Sequence, residues 1–358
     1  MIALCYGTRP QVIKSSVLRP ALEQIGPVYS IDTGQHYDAT MSALLYDQLG
    51  AAPPDRFLEV GSGSHAEQTA LILTRAESAL RECAPRLVVS IGDTNSTLGV
   101  ALAAAKLRVP VVHVEAGLRT GDRQMAEELN RRCVDALAAL LCTPSASATL
   151  RMRSEHPDAV VRETGDVALD VLLKVQGRLP EPQAVVPGLP PSYLFATLHR
   201  AELTDDPGTL AAVLRALAAT GTAGVIALHP RTALALQAMG IVHDRIGLLR
   251  LIPAVGYLET VALIAGARVV VTDSGGVQRE AYWLGTPCVT LRSETEWEET
   301  VACEANRLIS PGDATRGLAD AITAQVGRWN GESRWPRNAY GNGQAAEKVA
   351  AAVAEMLT

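Results

Sequence analysis

The 358-residue sequence has no CxxC pair, no HExxH, no GxxxxGK[ST] and no GxGxxG after its first apolar run. Zinc spacing, an ATP-binding P-loop and a dinucleotide fingerprint are therefore all missing, and neither a metal nor a cofactor is expected. No apolar stretch reaches membrane-spanning length without a charge, and Met1 leads into IALCY without a basic leader. Short-period repeats, low-complexity tracts and coiled-coil heptads are also absent. Positive charge is not in excess: 32 Lys and Arg stand against 38 Asp and Glu, a net charge of −6 with a pI of about 5.7. That balance argues against a general nucleic-acid or anionic-membrane surface and leaves room only for a local basic pocket that takes a small anion. Cys5, Cys83, Cys133, Cys142, Cys288 and Cys303 lie mostly in apolar or alanine-rich contexts typical of buried thiols, which fits a soluble protein of the reducing cytoplasm.

What the chain does have is alternation. Ile2–Tyr6, Val28–Asp32, Leu87–Ile91, Val109–Val114 and Leu137–Cys142 read as buried parallel strands, with helical patterns such as Ala66–Arg81 and Thr97–Lys106 between them. The proline-rich stretch RLPEPQAVVPGLPP, Arg178 to Pro191, reads as a linker-like loop, after which the alternation restarts. Strands are then expected at Tyr193–Leu198, Val225–Leu228, Leu248–Leu251, Val269–Val271 and Val289–Leu291. A hydrophobic fraction of 48% with 20% charged residues supports globular domains rather than disorder. Two βα series in 358 residues predict an α/β protein of two Rossmann-like, doubly wound domains facing a cleft. The expected domains are 1–166 and 167–342, with a C-terminal helix at about 343–358 packing back on the first.

In such sheets ligands bind at the carboxyl ends of the strands. GTRPQVIK follows the first strand and puts Arg9 and Lys14 beside a helix start, which suits a diphosphate; the alternative is a pair of exposed cations on a surface helix. TGQHYD follows the second strand, and Gln35 and His36 either line the cleft or cap the next helix. Asp93 in IGDTNST and Glu115 in HVEAGLRT end neighbouring strands, while Glu127 and Glu128 open the helical AEELNRR. Taken singly, Asp93 reads as an N-cap, Glu127 and Glu128 as first-turn charges and Glu115 as a partner of Arg119 or Arg131. Three carboxylates gathered at one sheet rim make a functional site harder to dismiss. In the second series LHRAE places His199 and Arg200, and LHPRT places His229 and Arg231, just after strands. The stretch TDSGGVQREAYWLGTP turns an apolar run into a helix at Ser274, Gly275 and Gly276, which makes either an anion site or a tight connection, with Glu280 six residues beyond Ser274.

The ordered constellation GTRPQ-IK, TGQH, GDT, HVEAGLRT, EE-NR, HR-E, HPRT and TDSGG-Q-EA, from Gly7 to about Ile309, resembles the UDP-N-acetylglucosamine 2-epimerase family. The resemblance implies a glycosyltransferase-B-like fold, a homodimer, a UDP-sugar substrate and no cofactor. It also implies that Ser274, Gly275 and Gly276 cradle the UDP diphosphate and Glu280 binds the ribose. Arg9, Lys14 and His199 match the family's other diphosphate-side residues, and Asp93, Glu115 and Glu127 match its acid–base carboxylates; Gln35, His36, Arg131 and His229 complete the implied substrate contacts. Three positions depart from the family's pattern: Ile91 stands where histidine often precedes GDT, Ala126 replaces a proline and Leu203 replaces an asparagine. LRSETEW, Leu291 to Trp297, looks more like the branch that handles UDP-2,3-diacetamido sugars and its archaeal relatives. The implied activity is non-hydrolysing epimerisation at C2 of UDP-N-acetylglucosamine. The alternatives are a hydrolysing epimerase, a UDP-2,3-diacetamido-sugar epimerase and a UDP-sugar glycosyltransferase.

Overall fold

The computed structural model describes residues 1–35, 46, 48–241, 244–328 and 335–358. The chain divides into two compact α/β units, Met1–Val175 with Asn338–Thr358, and Gln176–Arg337.

The first unit holds strands β1 (Ile2–Tyr6), β2 (Val28–Asp32), β3 (Arg56–Phe57), β4 (Leu87–Ile91), β5 (Val111–Val114), β6 (Leu140–Thr143) and β7 (Val160–Glu163). They form a parallel sheet in the order β3-β2-β1-β4-β5-β6-β7. β1 and β4 are buried along their whole length, because helices cover both faces and every side chain meets a core. The order reverses between β1 and β4, and at such a reversal the following loops part and leave a crevice at the strands' carboxyl ends. Helix Val167–Val175 packs on helix Arg9–Glu23 and on the C-terminal helix Ala345–Leu357, so it belongs to this unit. The Asp170 carboxylate accepts the Ala345 and Ala346 N–H groups at 3.1 and 2.7 Å, capping the returning helix where its free donors lie.

The second unit holds β8 (Leu194–Leu198), β9 (Gly224–Leu228), β10 (Arg245–Ile246), β11 (Leu249–Pro253), β12 (Val269–Thr272), β13 (Cys288–Thr290) and β14 (Asn306–Leu308). The order is β10-β11-β9-β8-β12-β13-β14, parallel except for the antiparallel edge strand β10. Counted from β8 and leaving β10 aside, this repeats the β3-β2-β1-β4-β5-β6 part of the first sheet, and its reversal lies between β8 and β12. The expected linker from Arg178 to Pro191 is part of this unit's body. It contains helix Pro182–Val185, buries Val186 and Leu189 in the core, and is tied down by Arg250 Nη1 donating to Pro187 O at 2.6 Å.

The six cysteines are free thiols, four of them buried, and burial pushes Cys142 and Cys288 up to about 12. Among the described residues no helix is long and apolar enough to cross a membrane, and no cluster of His, Cys, Asp or Glu is placed to hold a metal ion.

Candidate functional site

In the first unit the turns after β1, β4 and β5 are fastened to one another. Gly7 leads from β1 into helix Arg9–Glu23, and a Cβ there would lie 1.9 Å from Thr33 Oγ1 and 2.3 Å from Ser96 Oγ. Only glycine allows this approach. Gln11 then crosses to the next turn: its Nε2 donates to Ile91 O at 2.5 Å, while its Oε1 accepts from Gly7 N at 2.9 Å. Half-buried Arg9 is the first residue of the helix, followed by Pro10, whose missing N–H costs nothing there. Gln35 caps helix Asn95–Lys106, its Oε1 accepting from Ser96 N at 2.9 Å and Ser96 Oγ at 2.8 Å. His36 lies outside the described residues.

Asp93 follows β4 after Gly92, whose φ is +68°. Its Oδ2 receives Arg131 Nη2 at 2.5 Å and Arg131 Nε at 2.9 Å, and its backbone carbonyl receives Asn130 Nδ2 at 2.9 Å. Glu115, one strand over, pairs with Lys14 in an ion pair that leaves both side chains almost fully covered. Glu115 has a φ of +71°, a left-handed conformation costly for a side-chain-bearing residue, which the packing around it must hold. Arg131 also stands 3.3 Å from Glu128, which is fully buried and accepts from Arg132 Nε at 2.7 Å and Thr120 N at 3.0 Å. Glu127, beside it, is half-buried, and its side chain has no hydrogen bond or ion pair among the described residues. The rim thus pairs Asp93 with Arg131 and Glu115 with Lys14. Two carboxylates, each beside a fixed cation at the ends of adjacent strands, are groups that can give and take protons.

In the second unit Ser274 caps the ten-residue helix Gly275–Leu284, its Oγ accepting from Val277 N at 3.4 Å. A Cβ on Gly275 would meet Glu296 Oε1 at 2.9 Å, whereas one on Gly276 would meet nothing nearer than Ser274 Oγ at 3.8 Å. Packing therefore calls for glycine at 275 but leaves open space at 276, where the first helical turn presents backbone rather than a side chain. That is how a helix start approaches an anion. Asp273, fully buried, fastens this turn to the end of β8: its Oδ2 accepts the His199 and Arg200 N–H groups at 2.7 and 2.8 Å, and its Oδ1 lies 3.0 Å from His199 Nδ1. Burial pushes the Asp273 carboxyl up, but the His199 contact and the two backbone donors outweigh it and hold the group below the usual carboxylate range. With Nδ1 so fixed, Nε2 is the nitrogen His199 has left for a ligand. His229 stacks at a tilt beside it, ring centroids 5.4 Å apart, and caps helix Pro230–Ala238 by accepting from Arg231 N at 3.2 Å. Glu280 is half-buried on helix Gly275–Leu284.

Leu291 to Trp297 docks on this helix. Arg292 and Glu296 form a buried ion pair at 2.9 Å, Arg279 lies 4.0 Å over the Trp297 ring, and Thr295 Oγ1 donates to Gln278 Oε1 at 2.8 Å. Four fastening residues, Gln11, Glu128, Asp273 and Glu296, went unassigned in the sequence. For Glu128 a signal existed: Glu128, Arg131 and Asp135 recur at helical spacing on one face and are all buried.

The family model described as UDP-N-acetylglucosamine 2-epimerase matches residues 24–354. The UDP-2,3-diacetamido-2,3-dideoxy-D-glucuronate 2-epimerase of Pseudomonas aeruginosa is 37% identical, covering 99% of this chain and 99% of its own. The UDP-N-acetylglucosamine 2-epimerase of Methanocaldococcus jannaschii is 34% identical, covering 97% of each. The crystal structure of that M. jannaschii enzyme in complex with UDP-GlcNAc and UDP superimposes with a TM-score of 0.89 over 99% of both chains. The S. aureus MnaA-UDP co-structure, 26% identical, gives 0.85 over 99% of this chain and 96% of that one.

Proposed function

The chain belongs to the UDP-N-acetylglucosamine 2-epimerase family, with its glycosyltransferase-B-like fold, and from that premise we propose that it inverts C2 of UDP-N-acetylglucosamine to give UDP-N-acetylmannosamine without hydrolysis. The hydrogen at C2 sits beside no carbonyl and is too weakly acidic for simple deprotonation. Departure of UDP from C1 with the bonding pair acidifies it, and its loss to a carboxylate leaves 2-acetamidoglucal. UDP then returns to C1 while a proton arrives at the opposite face of C2, so atoms and charge balance without a hydride acceptor. Asp93, Glu115 and Glu127 are assigned to the proton transfers. The Ser274, Gly275 and Gly276 turn, His199 and Arg9 are assigned to the diphosphate, whose charge grows as it leaves. Glu280 is assigned to the ribose, and Gln35, His36, Arg131 and His229 to further substrate contacts, with Lys14 acting through Glu115; the working form is a homodimer. The observation that carries this assignment is the pairing of Asp93 with Arg131 and Glu115 with Lys14 at the ends of adjacent strands β4 and β5.

A second reading has its own support. The P. aeruginosa relative is a UDP-2,3-diacetamido-2,3-dideoxy-D-glucuronate 2-epimerase, and Leu291 to Trp297, which resembles that branch, lies against the Ser274 helix. Incubation with each UDP-sugar separately, first without and then with an added acceptor, followed by NMR, separates the possibilities. The proposal expects UDP-N-acetylmannosamine from UDP-N-acetylglucosamine. Free UDP rising together with free N-acetylmannosamine makes the enzyme hydrolysing. Turnover of the diacetamido uronate alone moves the substrate to the second reading, and turnover only with an added acceptor makes it a transferase.

A further inference from the structure

Behind the two carboxylates of the first unit lies a buried polar cluster to which the proposed chemistry assigns no part. His113, on β5, is fully buried, with Nε2 2.7 Å from Gly92 O and Nδ1 2.6 Å from Asp135 Oδ1. A carbonyl oxygen can only accept, so Nε2 donates to it. Asp135, fully buried on helix Ala126–Leu137, gives its Oδ2 to Arg119 Nη1 at 2.6 Å and to Gly117 N at 3.4 Å, and Arg119 Nη2 continues to Glu155 at 2.7 Å. Burial pushes the Asp135 carboxyl up, but His113 and Arg119 together hold it below the usual range, so the cluster keeps its anion.

The cluster touches both reactive turns. Gly92 directly precedes Asp93, and with Gln11 on Ile91 O, two consecutive carbonyls of that turn are gripped from different elements. On the other side Gly117 N and Leu118 O, bonded to Asp135 and Arg119, close the turn that begins at left-handed Glu115. On the premise that Asp93 and Glu115 move the C2 proton, we infer that His113, oriented by Asp135, is a positioning residue that sets the Gly92–Asp93 turn for that transfer. The carbonyl that Nε2 holds is the one directly before the reactive acid, so a change at His113 reaches Asp93 through a single peptide unit. A reacting group displaced by about 1 Å loses about 100-fold in rate.

The test uses the full chain and the variants His113→Asn, His113→Gln, Asp135→Asn and Asp93→Asn. A glutamine amide reaches where Nε2 stood and can still donate to Gly92 O; an asparagine amide stops near Nδ1 and cannot. His113→Asn is expected to lower kcat about 100-fold with KM and the UDP dissociation constant within about twofold, and His113→Gln to recover at least about tenfold of that loss. Asp135→Asn, should His113→Asn not fold, is expected to show the same kcat-only loss. Parental kcat in His113→Asn or Asp135→Asn overturns the inference, as does a His113→Gln variant no better than His113→Asn. Because asparagine is also the smaller side chain and leaves a cavity, melting temperatures are read alongside, and a kcat loss accompanied by an equally large rise in KM and in the UDP dissociation constant assigns His113 to core filling. Full turnover in Asp93→Asn would defeat the premise itself, whatever the His113 variants do.

Discussion

Replacing Gly7 with alanine tests whether the turns after β1, β2 and β4 are locked together. The added Cβ would stand 1.9 Å from Thr33 Oγ1, where ordinary contact begins at 3.4 Å, so something must yield by about 1.5 Å. Neither neighbour moves freely. Thr33 and Ser96 are buried and bonded to each other at 2.7 Å, and Ser96 Oγ also donates to Gln35 at 2.8 Å. Turning both hydroxyls away forfeits two buried hydrogen bonds at about 1 kcal/mol each, and forcing the methyl in costs about 1–3 kcal/mol by overpacking. A net loss of about 3–5 kcal/mol lowers the melting temperature of a unit this size by about 6–20 °C. Because Arg9 begins the helix two residues on, turnover should fall as well, by about 100-fold if the helix start shifts by about 1 Å. Differential scanning calorimetry and initial rates read both effects. Gly177→Ala, where a Cβ meets nothing within 4 Å, serves as the neutral control. Adding Thr33→Ala to Gly7→Ala should restore part of the melting temperature by removing the closest clashing atom. A Gly7→Ala protein that melts and turns over like the parent would refute the reasoning.

The two rims should fail in different ways. Asp93→Asn and Glu115→Gln are expected to bind UDP normally by calorimetry and to turn over several orders of magnitude more slowly, whereas Gly275→Leu, driven against Glu296 Oε1 at 2.9 Å, should lose UDP affinity; full epimerase activity in both carboxylate variants would end their assignment. Asp273 titrates below its unfolded value, so its stabilisation is complete above pH about 4 and is lost as pH falls through the lower folded value. Urea midpoints measured from pH 7 downward should show an acid limb that Asp273→Asn flattens while lowering the neutral midpoint, and equal limbs in the two proteins would contradict this.

The strands that carry the site were legible because parallel strands covered on both faces are continuous apolar runs. Ile2–Tyr6, Val28–Asp32 and Leu87–Ile91 have the bounds the sequence suggested. The edge strands β3, β7, β10 and β14 left no such signal, being two to four residues long and partly exposed; three of the four residues of β7 face solvent. Leu137, read as the start of a strand, ends helix Ala126–Leu137 instead, since one apolar residue beside a run fits either period. Asp93 and Glu115 were legible as candidates because both stand at the ends of neighbouring buried strands, although each taken singly has a structural reading. Their partners could not: Lys14 lies 101 residues from Glu115 and Arg131 38 residues from Asp93, separations no local pattern spans. His113 was hidden for the opposite reason, lying inside an apolar strand where its neighbours set the pattern.

The mechanism is tested most directly by running the reaction in D2O and examining C2 of the product by NMR. Elimination of UDP and readdition passes the C2 proton to an enzyme carboxylate, which exchanges with solvent before the opposite face is reprotonated. UDP-N-acetylmannosamine formed from UDP-N-acetylglucosamine should therefore carry deuterium at C2 in its first turnovers. Product that keeps protium at C2 after full turnover would contradict elimination and readdition, and with it the roles given to Asp93 and Glu115.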